Sequence, residues 1–466
     1  MALNSSHFTS IAEVDIAMQR EADRIVLNGS PTSLIYVPSK LTSFEHHLLT
    51  TSPDFARLLI LKELYHCHNA VEDKFKVLKQ RNRAARSNSD SLRYHLAGFH
   101  SAFEEITHLT NPPLLPALSR GTHFLDLGCA PGGFATWLLQ NTVMNGVGIT
   151  LPWQANDCGV TTPGVTNTGI PLHSDLAVFG PRFSVFPRDL FQVATGTLSE
   201  TIPTESIPAT GFDLVIATAA AMLTEDQVSR AKKIHLTFAQ LLIAFQHIAT
   251  GGTLIVSLRT RPFDWVTDII ASLKQIFESV DAVKPKLQAK TSFAYFICQG
   301  FNPTSTTAIT KHIDRLRNCI HYLQDTDEQG IECNTLEISR LYNTSYKLSD
   351  DEIMDLLTTV WTRQYNAIHE DFERILNSDQ PGLDKTRRAS ESTGHTKWLT
   401  VAESATQPRE AGSSNWRNRT AAPQHDDAQI RRNARDAGFK ELFALNRSSN
   451  TSNADGPWRR NGVVLN

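Results

Sequence analysis

Apolar residues along the chain change their spacing several times, and each change predicts a different kind of element. Between residues 54 and 106 they recur every three or four positions, which predicts helices with one buried face. The clearest positions are Phe55, Leu58, Leu59, Leu61 and Leu64. Two short apolar runs in the first 50 residues, RIVLNG and SLIYVPS, favour a small strand pair. Residues 1–94 are therefore predicted to form a mainly helical N-terminal extension.

A second pattern extends from residue 121 to residue 301, where short β-rich runs alternate with helical segments. Six runs predict strands: HFLDLG, NGVGITL, FSVFPRD, FDLVIAT, GTLIVSL and SFAYFICQGF. Between the fourth and fifth runs, a helix is predicted to begin after a Thr224 cap and to end at Gly251 and Gly252. This alternation is typical of an α/β domain with a mostly parallel sheet, which we assign to residues 95–302.

The C-terminal part of the chain divides into a helical segment and a polar tail. Residues 303–376 predict two or three helices, and one helical face presents Leu316, Cys319, Ile320 and Leu323. Residues 377–466 are rich in Ser, Asn, Arg, Thr and Pro and poor in apolar residues. Because such a composition cannot bury enough apolar surface to order the chain, we expect this tail to be largely disordered.

Charge is distributed unevenly between this tail and the rest of the chain. The formal net charge is -3, but residues 381–466 contain 14 Lys and Arg against 9 Asp and Glu, a net of +5 that leaves -8 on the preceding residues. The overall charge gives no sign of nucleic-acid or membrane binding. The tail also contains Trp398, Trp416 and Trp458, which are able to stack on bases. It is therefore the segment that favours binding of single-stranded RNA.

Six cysteines occur without a Cys-x-x-Cys pair: Cys67, Cys129, Cys158, Cys298, Cys319 and Cys333. Their spacing argues against a zinc site or a disulfide framework and fits a reducing compartment. The first residues, MALNSSHFTS, lack the basic and apolar regions of a secretory signal. No apolar run reaches the ~18 residues of a membrane span. We therefore expect a cytoplasmic or nuclear protein without a metal or a membrane contact, and the oligomeric state stays open.

The stretch FLDLGCAPGGFATWLL, residues 124–139, predicts a strand, a tight glycine turn and a helix. A helix start presents unpaired N–H groups and the positive end of a dipole, so the turn suits a ligand with carboxylate or hydroxyl oxygens. The spacing is neither that of Gly-x-Gly-x-x-Gly nor that of a nucleoside-triphosphate loop. The turn instead resembles motif I of S-adenosylmethionine-dependent methyltransferases, and more narrowly that of the FtsJ-like ribose 2′-O-methyltransferase family.

This resemblance covers roughly residues 95–301 and implies a Rossmann-like methyltransferase sheet with S-adenosylmethionine as cofactor. Carried over residue by residue, it implies that these residues bind the cofactor: Asp126, Gly128, Ala130, Pro131, Gly132, Gly133, Phe134, Thr150 and Asp189. Thr150 stands where many methyltransferases have an acidic residue facing the ribose. Asp189 stands where the family's carboxylate accepts from the adenine amino group, and a helix N-cap is an equally good interpretation of it.

The family also has a Lys-Asp-Lys-Glu set, which helps to deprotonate the ribose 2′-hydroxyl, a poor nucleophile at neutral pH. Aligned motif by motif, this chain has none of the four residues. Ala102, Thr218, Ser257 and Phe293 stand in their places, and Ala217 precedes Thr218 at the end of the fourth predicted strand. The cofactor-binding half of the pattern is therefore intact, whereas the family's usual ribose mechanism is not expected.

Six titratable groups near these positions are candidates to replace the set: His100, Glu104, Glu105, Arg259, Lys284 and Lys290. Each of them is also explained as a solvated or capping residue. His100 is the best candidate base, because an imidazole with a near-neutral pKa can deprotonate a phenol or another acidic hydroxyl. The apolar residues Ala102, Ala217, Ala219, Ala220 and Phe293 would make the pocket drier, which favours an apolar small-molecule acceptor or none.

Three functions follow from these observations and stay open at this point. One is a methyltransferase that modifies RNA ribose or a small hydroxylated metabolite. Another is a catalytically inactive relative that acts as a cofactor- or RNA-binding scaffold. The third is an RNA-binding module that retains only the fold.

Overall fold

The computed structural model describes residues 8–28, 37, 41–85, 89–152, 172–196, 201–220, 228–302, 306–344 and 346–378. The chain divides into two compact units, one formed by residues 1–67 and 376–466 and the other by residues 68–375. The division into four segments drawn from the sequence stays a prediction.

The described residues up to position 67 of the first unit form three helices: α1 (Ile11–Asn28), α2 (Ser43–Thr51) and α3 (Pro53–His66). The Thr42 side chain accepts from the Glu45 backbone and the Glu45 carboxylate accepts from the Thr42 backbone, a capping box that fixes the start of α2. Ser52 caps α3 in a similar way, and Pro53 occupies its first turn. The apolar positions predicted on this helix are buried.

The strand pair predicted for the first 50 residues is wrong where the structure describes it. Residues 24–28, the RIVLN of the first run, form the last turns of α1, because Val14, Met18, Ala22 and Ile25 recur at helical spacing and are all buried. The second run lies outside the described residues except for residue 37.

The second unit is built on a seven-stranded sheet. Its strands are β1 (His123–Leu127), β2 (Asn145–Thr150), β3 (Phe183–Pro187), β4 (Phe212–Ala217), β5 (Ile248–Arg259), β6 (Phe277–Val283) and β7 (Phe293–Phe301). Its helices are α4 (Asn69–Ala85), α5 (Ser89–Leu109), α6 (Leu115–Arg120), α7 (Gly133–Asn141), α8 (Leu190–Thr195), α9 (Arg230–His247), α10 (Asp264–Ile276), α11 (Thr306–Glu328), α12 (Thr335–Tyr342) and α13 (Asp350–Ser378), the last three residues of α13 falling in the first unit.

The strand order is β3-β2-β1-β4-β5-β7-β6. The first five of these strands are parallel, and β7 pairs antiparallel with both β5 and β6. This confirms the predicted α/β fold, a Rossmann-like sheet with additional helices before and after it in the chain. Because the chain runs outward from β1 in one direction and from β4 in the other, the carboxyl ends of β1 and β4 form the crevice where such sheets bind ligands.

Two details between residues 224 and 283 differ from the prediction. The helix α9 begins at Arg230 with Ser229 as its N-cap and ends at His247, whereas Thr224 lies outside the described residues. The following IATGG is the start of β5, with Gly251 at φ +77° beside an irregular register against β4. The strand β6 was not predicted at all.

Three helices follow the sheet, as predicted, and the predicted apolar face of α11 is buried. The helix α13 is tied to the sheet by the indole N–H of Trp361, which donates to the Thr260 carbonyl (2.8 Å). Gln364 accepts from the Thr260 hydroxyl (2.8 Å) and donates to the Thr291 carbonyl (2.5 Å). These bonds hold the carboxyl end of β5 and the loop before β7 against one helix. The tail predicted to be disordered lies, beyond Ser378, outside the described residues.

Candidate functional site

The glycine turn that joins β1 to α7 lies in the crevice at the carboxyl ends of β1 and β4. The N–H groups of Gly128 and Cys129 both donate to the Ile149 carbonyl at the end of β2 (2.8 and 3.1 Å), which fixes the entry to the turn. Among the described residues, no acceptor bonds the N–H groups of Gly132, Gly133 and Phe134. The start of α7 therefore presents unpaired donors, as predicted for an oxygen-bearing ligand.

Gly128 allows the turn to touch the loop after β4. Its φ is +83°, and a Cβ built on it would lie 2.4 Å from the Ala219 Cβ. The Ala219 backbone is held by buried Gln240 of α9, which accepts from its N–H (2.7 Å) and donates to its carbonyl (3.1 Å). Gln240 thus positions one wall of the crevice. No sequence pattern predicts this role, since a glutamine within a helix is ordinarily solvent-exposed.

Gly132 is overlaid by the short 3-10 helix Ser174–Phe179. Gly132 is the N-cap of α7 and has φ +110°, and a Cβ built on it would lie 2.1 Å from Cδ1 of buried Leu176. The His173 N–H donates to the Pro131 carbonyl (3.1 Å), which fixes the same segment to the turn. No side chain fits at position 132 while Leu176 keeps this place. Leu176 is a second residue that the sequence analysis missed.

Gly133 and Phe134 face the protein core rather than the crevice. A Cβ on Gly133 would lie 2.6 Å from the Leu96 carbonyl oxygen and 2.5 Å from the Phe99 Cβ, so its absence allows α5 to pack closely on α7. The Phe134 ring packs against Phe103 and Tyr295, with ring centroids 5.1 and 5.7 Å apart. Their predicted contact with the cofactor stays a prediction, restricted to their backbone groups.

Asp126 is a buried carboxylate on β1, two residues before the turn, and its side chain is 3 % exposed. Burial raises its pKa from 3.8 to about 7. No described residue forms a hydrogen bond or an ion pair with it. Its charge is felt by the Cys129 thiol and the Tyr295 hydroxyl, whose pKa values are both raised, mainly by burial. A ligand amine or another cation near Asp126 would therefore be the partner that its carboxylate lacks.

Thr150 and Asp189 lie at the ends of neighbouring strands. The half-buried Thr150 ends β2, and its carbonyl accepts from the Arg188 N–H (2.8 Å), which joins the two strand ends. Asp189 is the N-cap of α8, and its Oδ1 accepts from the Phe191 N–H (2.9 Å). The N-cap interpretation is confirmed. The adenine contact stays a prediction, and it is compatible with the cap because the cap uses only one of the two carboxylate oxygens.

Three of the four positions that replace the family's Lys-Asp-Lys-Glu set lie on adjacent strand ends. Ala217 is paired with Val256, so Thr218 follows beside Ser257, and Ser257 is paired with Tyr295. Phe293 is paired with Arg259 two residues further along. The fourth position, Ala102, is 1 % exposed in the apolar cluster beneath α5. Where the family has four charged groups, this site has the hydroxyl groups of Thr218 and Ser257, the ring of Phe293 and the buried methyl group of Ala102.

The six candidate replacement groups are mostly occupied elsewhere. The His100 ring is hydrogen-bonded to the Gln140 side chain in the last turn of α7 (3.1 Å), at the other end of that helix from the glycine turn. Glu104 is exposed on α5, and Glu105 accepts from the Lys286 N–H (2.9 Å). The catalytic role considered for His100 therefore gains no support from its position.

The two lysine candidates hold structure together. Lys284 is buried, and its ammonium group donates to the Thr291 carbonyl (2.7 Å) and to the Phe293 carbonyl. Lys290 pairs with buried Asp371 (3.1 Å), which also pairs with Lys74 and Arg374 (2.8 and 3.1 Å). Arg259 is paired across the sheet with Phe293, one of the four positions of the missing set.

Within the part of the chain that the structure describes, no group of three or more His, Cys, Asp or Glu residues is placed to hold a metal ion. No described helix is long and apolar enough to cross a membrane.

The comparisons with known proteins agree with the motif analysis. Residues 105–301 match the family model described as FtsJ-like methyltransferase. The match confirms the predicted resemblance of this part of the chain and supports S-adenosylmethionine as its cofactor. A search of curated proteins finds no match to the chain.

Solved structures with a similar fold are methyltransferases, at low identity. One is an rRNA methylase from Streptococcus thermophilus (12% identity, 41% of this chain and 92% of that chain covered, TM-score 0.26). Another is human methyltransferase-like protein 13 in complex with SAH (14% identity, 64% and 99% covered, TM-score 0.27). A third is Aeropyrum pernix fibrillarin with natively bound S-adenosyl-L-methionine (15% identity, 39% and 68% covered, TM-score 0.24).

Proposed function

We propose that the domain matching the FtsJ-like methyltransferases binds S-adenosylmethionine at the glycine turn and transfers its methyl group to a hydroxyl group of RNA ribose or of a small metabolite. One observation carries this proposal. Among the described residues, neither the N–H groups of Gly132 and Gly133 at the start of α7 nor the carboxylate of Asp126 on the strand before it has a hydrogen-bond partner. The two features suit the carboxylate and the amino group of the methionine moiety.

The residues present therefore fit the cofactor, and their roles follow from their chemistry. The N–H groups at the start of α7 would hold the methionine carboxylate, and Asp126 would accept from the amino group. Thr150 and Asp189 are the side chains at hand for the ribose and the adenine. When bound, S-adenosylmethionine supplies an electrophilic methyl group, and the acceptor hydroxyl has to lie in line with it.

A second candidate function is a cofactor-binding scaffold without turnover. The specific observation in its favour is the set Ala102, Thr218, Ser257 and Phe293, none of which is able to take the proton of a ribose hydroxyl. An active enzyme with this site would need an acceptor that ionises readily by itself, since general-base assistance usually contributes ~10²–10⁴-fold.

Titration calorimetry followed by methyl transfer tests both candidates. We expect the full chain to bind S-adenosylmethionine and S-adenosylhomocysteine, and to transfer a tritiated methyl group to total RNA or to a metabolite extract. Binding without transfer to either extract would favour the scaffold. Absence of binding for both compounds would contradict the proposal.

The raised pKa of Asp126 predicts that cofactor binding depends on pH. In the free protein this carboxyl has a pKa of about 7, because burial favours its neutral form. Binding of an amino group would favour the ionised form, so below pH 7 each binding event releases a proton. We expect affinity to rise by up to about tenfold per pH unit between pH 5.5 and 7, and then to level off.

Calorimetry in buffers of different ionisation enthalpy measures this proton release directly. Asp126→Asn should abolish both the release and the pH slope. Asp189→Asn is the matched control, because asparagine also caps a helix; its affinity falls if Asp189 contacts adenine, but the slope persists. A slope that survives in Asp126→Asn would show that another group titrates.

A further inference from the structure

Three arginines and two phenylalanines form a cluster at the carboxyl end of β5, beyond the positions of the missing set. The cluster consists of Arg230, Arg259, Arg261, Phe263 and Phe293. Its members come from the start of α9, the end of β5, the loop before α10 and the start of β7. We call it the arginine–phenylalanine cluster.

Ring contacts hold the guanidinium groups in place. Cζ of Arg259 lies 4.4 Å from the ring centroid of Phe293. Phe263 is contacted by two cations, with Cζ of Arg230 at 5.1 Å and Cζ of Arg261 at 4.8 Å from its ring centroid. A guanidinium stacked on a ring keeps the N–H groups along its edge available, so the ring contacts of Arg230 and Arg259 orient their donors without consuming them.

Two members of the cluster, Arg230 and Arg259, concentrate positive charge at the end of β5. Burial and the neighbouring Arg230 both lower the pKa of Arg259. Neither of these two arginines forms an ion pair with any carboxylate in the described part of the chain. The Asp327 carboxylate, near the start of α9, accepts instead from the Ser229 hydroxyl. Two like charges held this close are stabilised by a bound anion.

The position of the cluster relates it to the methyl-transfer site. Arg259 and Ser257 lie two residues apart on the same face of β5, a separation of about 7 Å along the strand. Ser257 is paired with Tyr295, whose ring packs against Phe134 at the start of α7. An anionic group bound by Arg259 would therefore lie within the length of one nucleotide of an acceptor hydroxyl held near Ser257.

We propose that the arginine–phenylalanine cluster binds a phosphate group of the methyl acceptor. Several N–H donors from two guanidinium groups match the several oxygens of a phosphate, which favours phosphate over a single carboxylate. That the phosphate belongs to a methyl acceptor rests on the proposed function, whereas the binding of phosphate by the cluster does not. The phosphate belongs either to an RNA chain or to a small phosphorylated molecule.

Binding of defined probes tests the assignment. The probes are uridine 5′-monophosphate, uridine and a ten-nucleotide oligouridine RNA, each titrated with and without S-adenosylhomocysteine. The variants are Arg259→Gln and Arg230→Gln. Because Arg230 is exposed, its replacement does not endanger folding. The matched control is Arg120→Gln, an exposed arginine that ends α6 just before β1, at the amino ends of the parallel strands and thus away from the carboxyl end of β5.

We expect the phosphorylated probes to bind and uridine not to bind. Each cluster variant should weaken binding about tenfold or more, while Arg120→Gln leaves it within about twofold. Binding of the monophosphate identifies a small acceptor, and binding of the oligonucleotide alone identifies RNA; either outcome supports the cluster. Equal losses in all three variants, or no phosphate-dependent binding, would overturn it. If phosphate binding depends on Arg259 but S-adenosylhomocysteine does not bind, the proposed function fails and the phosphate site stands.

Discussion

Gly132→Val should abolish binding of S-adenosylmethionine, with a loss of affinity of about 100-fold or more, while the chain still folds. Two effects combine at this position. The residue has φ +110°, where a β-branched side chain is strained, and its new Cβ would lie 2.1 Å from Cδ1 of Leu176. The Leu176 side chain is able to turn away, but relief of the backbone strain requires the turn to move, and the N–H groups at the start of α7 move with it. We expect a stability loss of about 2–4 kcal/mol, measured by denaturant unfolding alongside calorimetry.

Gly196→Val separates backbone strain from the site. Gly196 has φ +74° at the end of α8, and a Cβ there meets nothing within 4 Å. This variant should lose about 1–2 kcal/mol of stability and keep its cofactor affinity. Gly132→Ala combined with Leu176→Ala removes the clash but not the strain, so it should bind better than Gly132→Ala alone. Unchanged affinity in Gly132→Val would remove the basis for placing the cofactor at this turn.

The strands that could be predicted from the sequence are those whose signal is local. The runs that became β1, β2, β3, β4, β5 and β7 are dense in β-branched or aromatic residues, as strands buried on both faces are. The missed strand, β6, reads FESVDAV and lies at the edge of the sheet, where polar residues are tolerated. The run RIVLN by itself resembles a strand, and its helical spacing is visible only together with Val14 and Met18, which lie on the same buried face of α1.

The glycine turn could be predicted because its chemistry lies within eight consecutive residues. Its surroundings could not, since they depend on segments distant in sequence. Leu176 contacts Gly132 from a 3-10 helix, and Gln240 contacts Ala219 from α9. Arg259 meets Phe293 only through the antiparallel register of β5 and β7. No spacing rule connects such pairs, and for the same reason the sequence does not show that Lys284 contacts the loop before β7 or that Lys290 contacts α13.

Restoring the four charged residues together should create or raise ribose 2′-O-methylation. The variant combines Ala102→Lys, Thr218→Asp, Ser257→Lys and Phe293→Glu. Unmodified protein should not methylate ribose at a rate supported by a general base, a deficit of ~10²–10⁴-fold. Thr218, Ser257 and Phe293 are all half-buried on adjacent strand ends, so polar groups there remain in reach of water. The new carboxylate at position 293 would also lie across from Arg259, which provides a cation for it.

Ala102→Lys decides how far the restoration succeeds. Position 102 is 1 % exposed within an apolar cluster, so a lone lysine there should cost several kcal/mol of stability. Combined with new carboxylates, the same lysine gains partners, and we expect the quadruple variant to be more stable than Ala102→Lys alone. Single restorations should add little activity, because such groups act as a unit. Methyl transfer to RNA, with nuclease digestion to locate the label, measures all six proteins. Robust 2′-O-methylation by the unmodified chain would show that another group deprotonates the ribose hydroxyl.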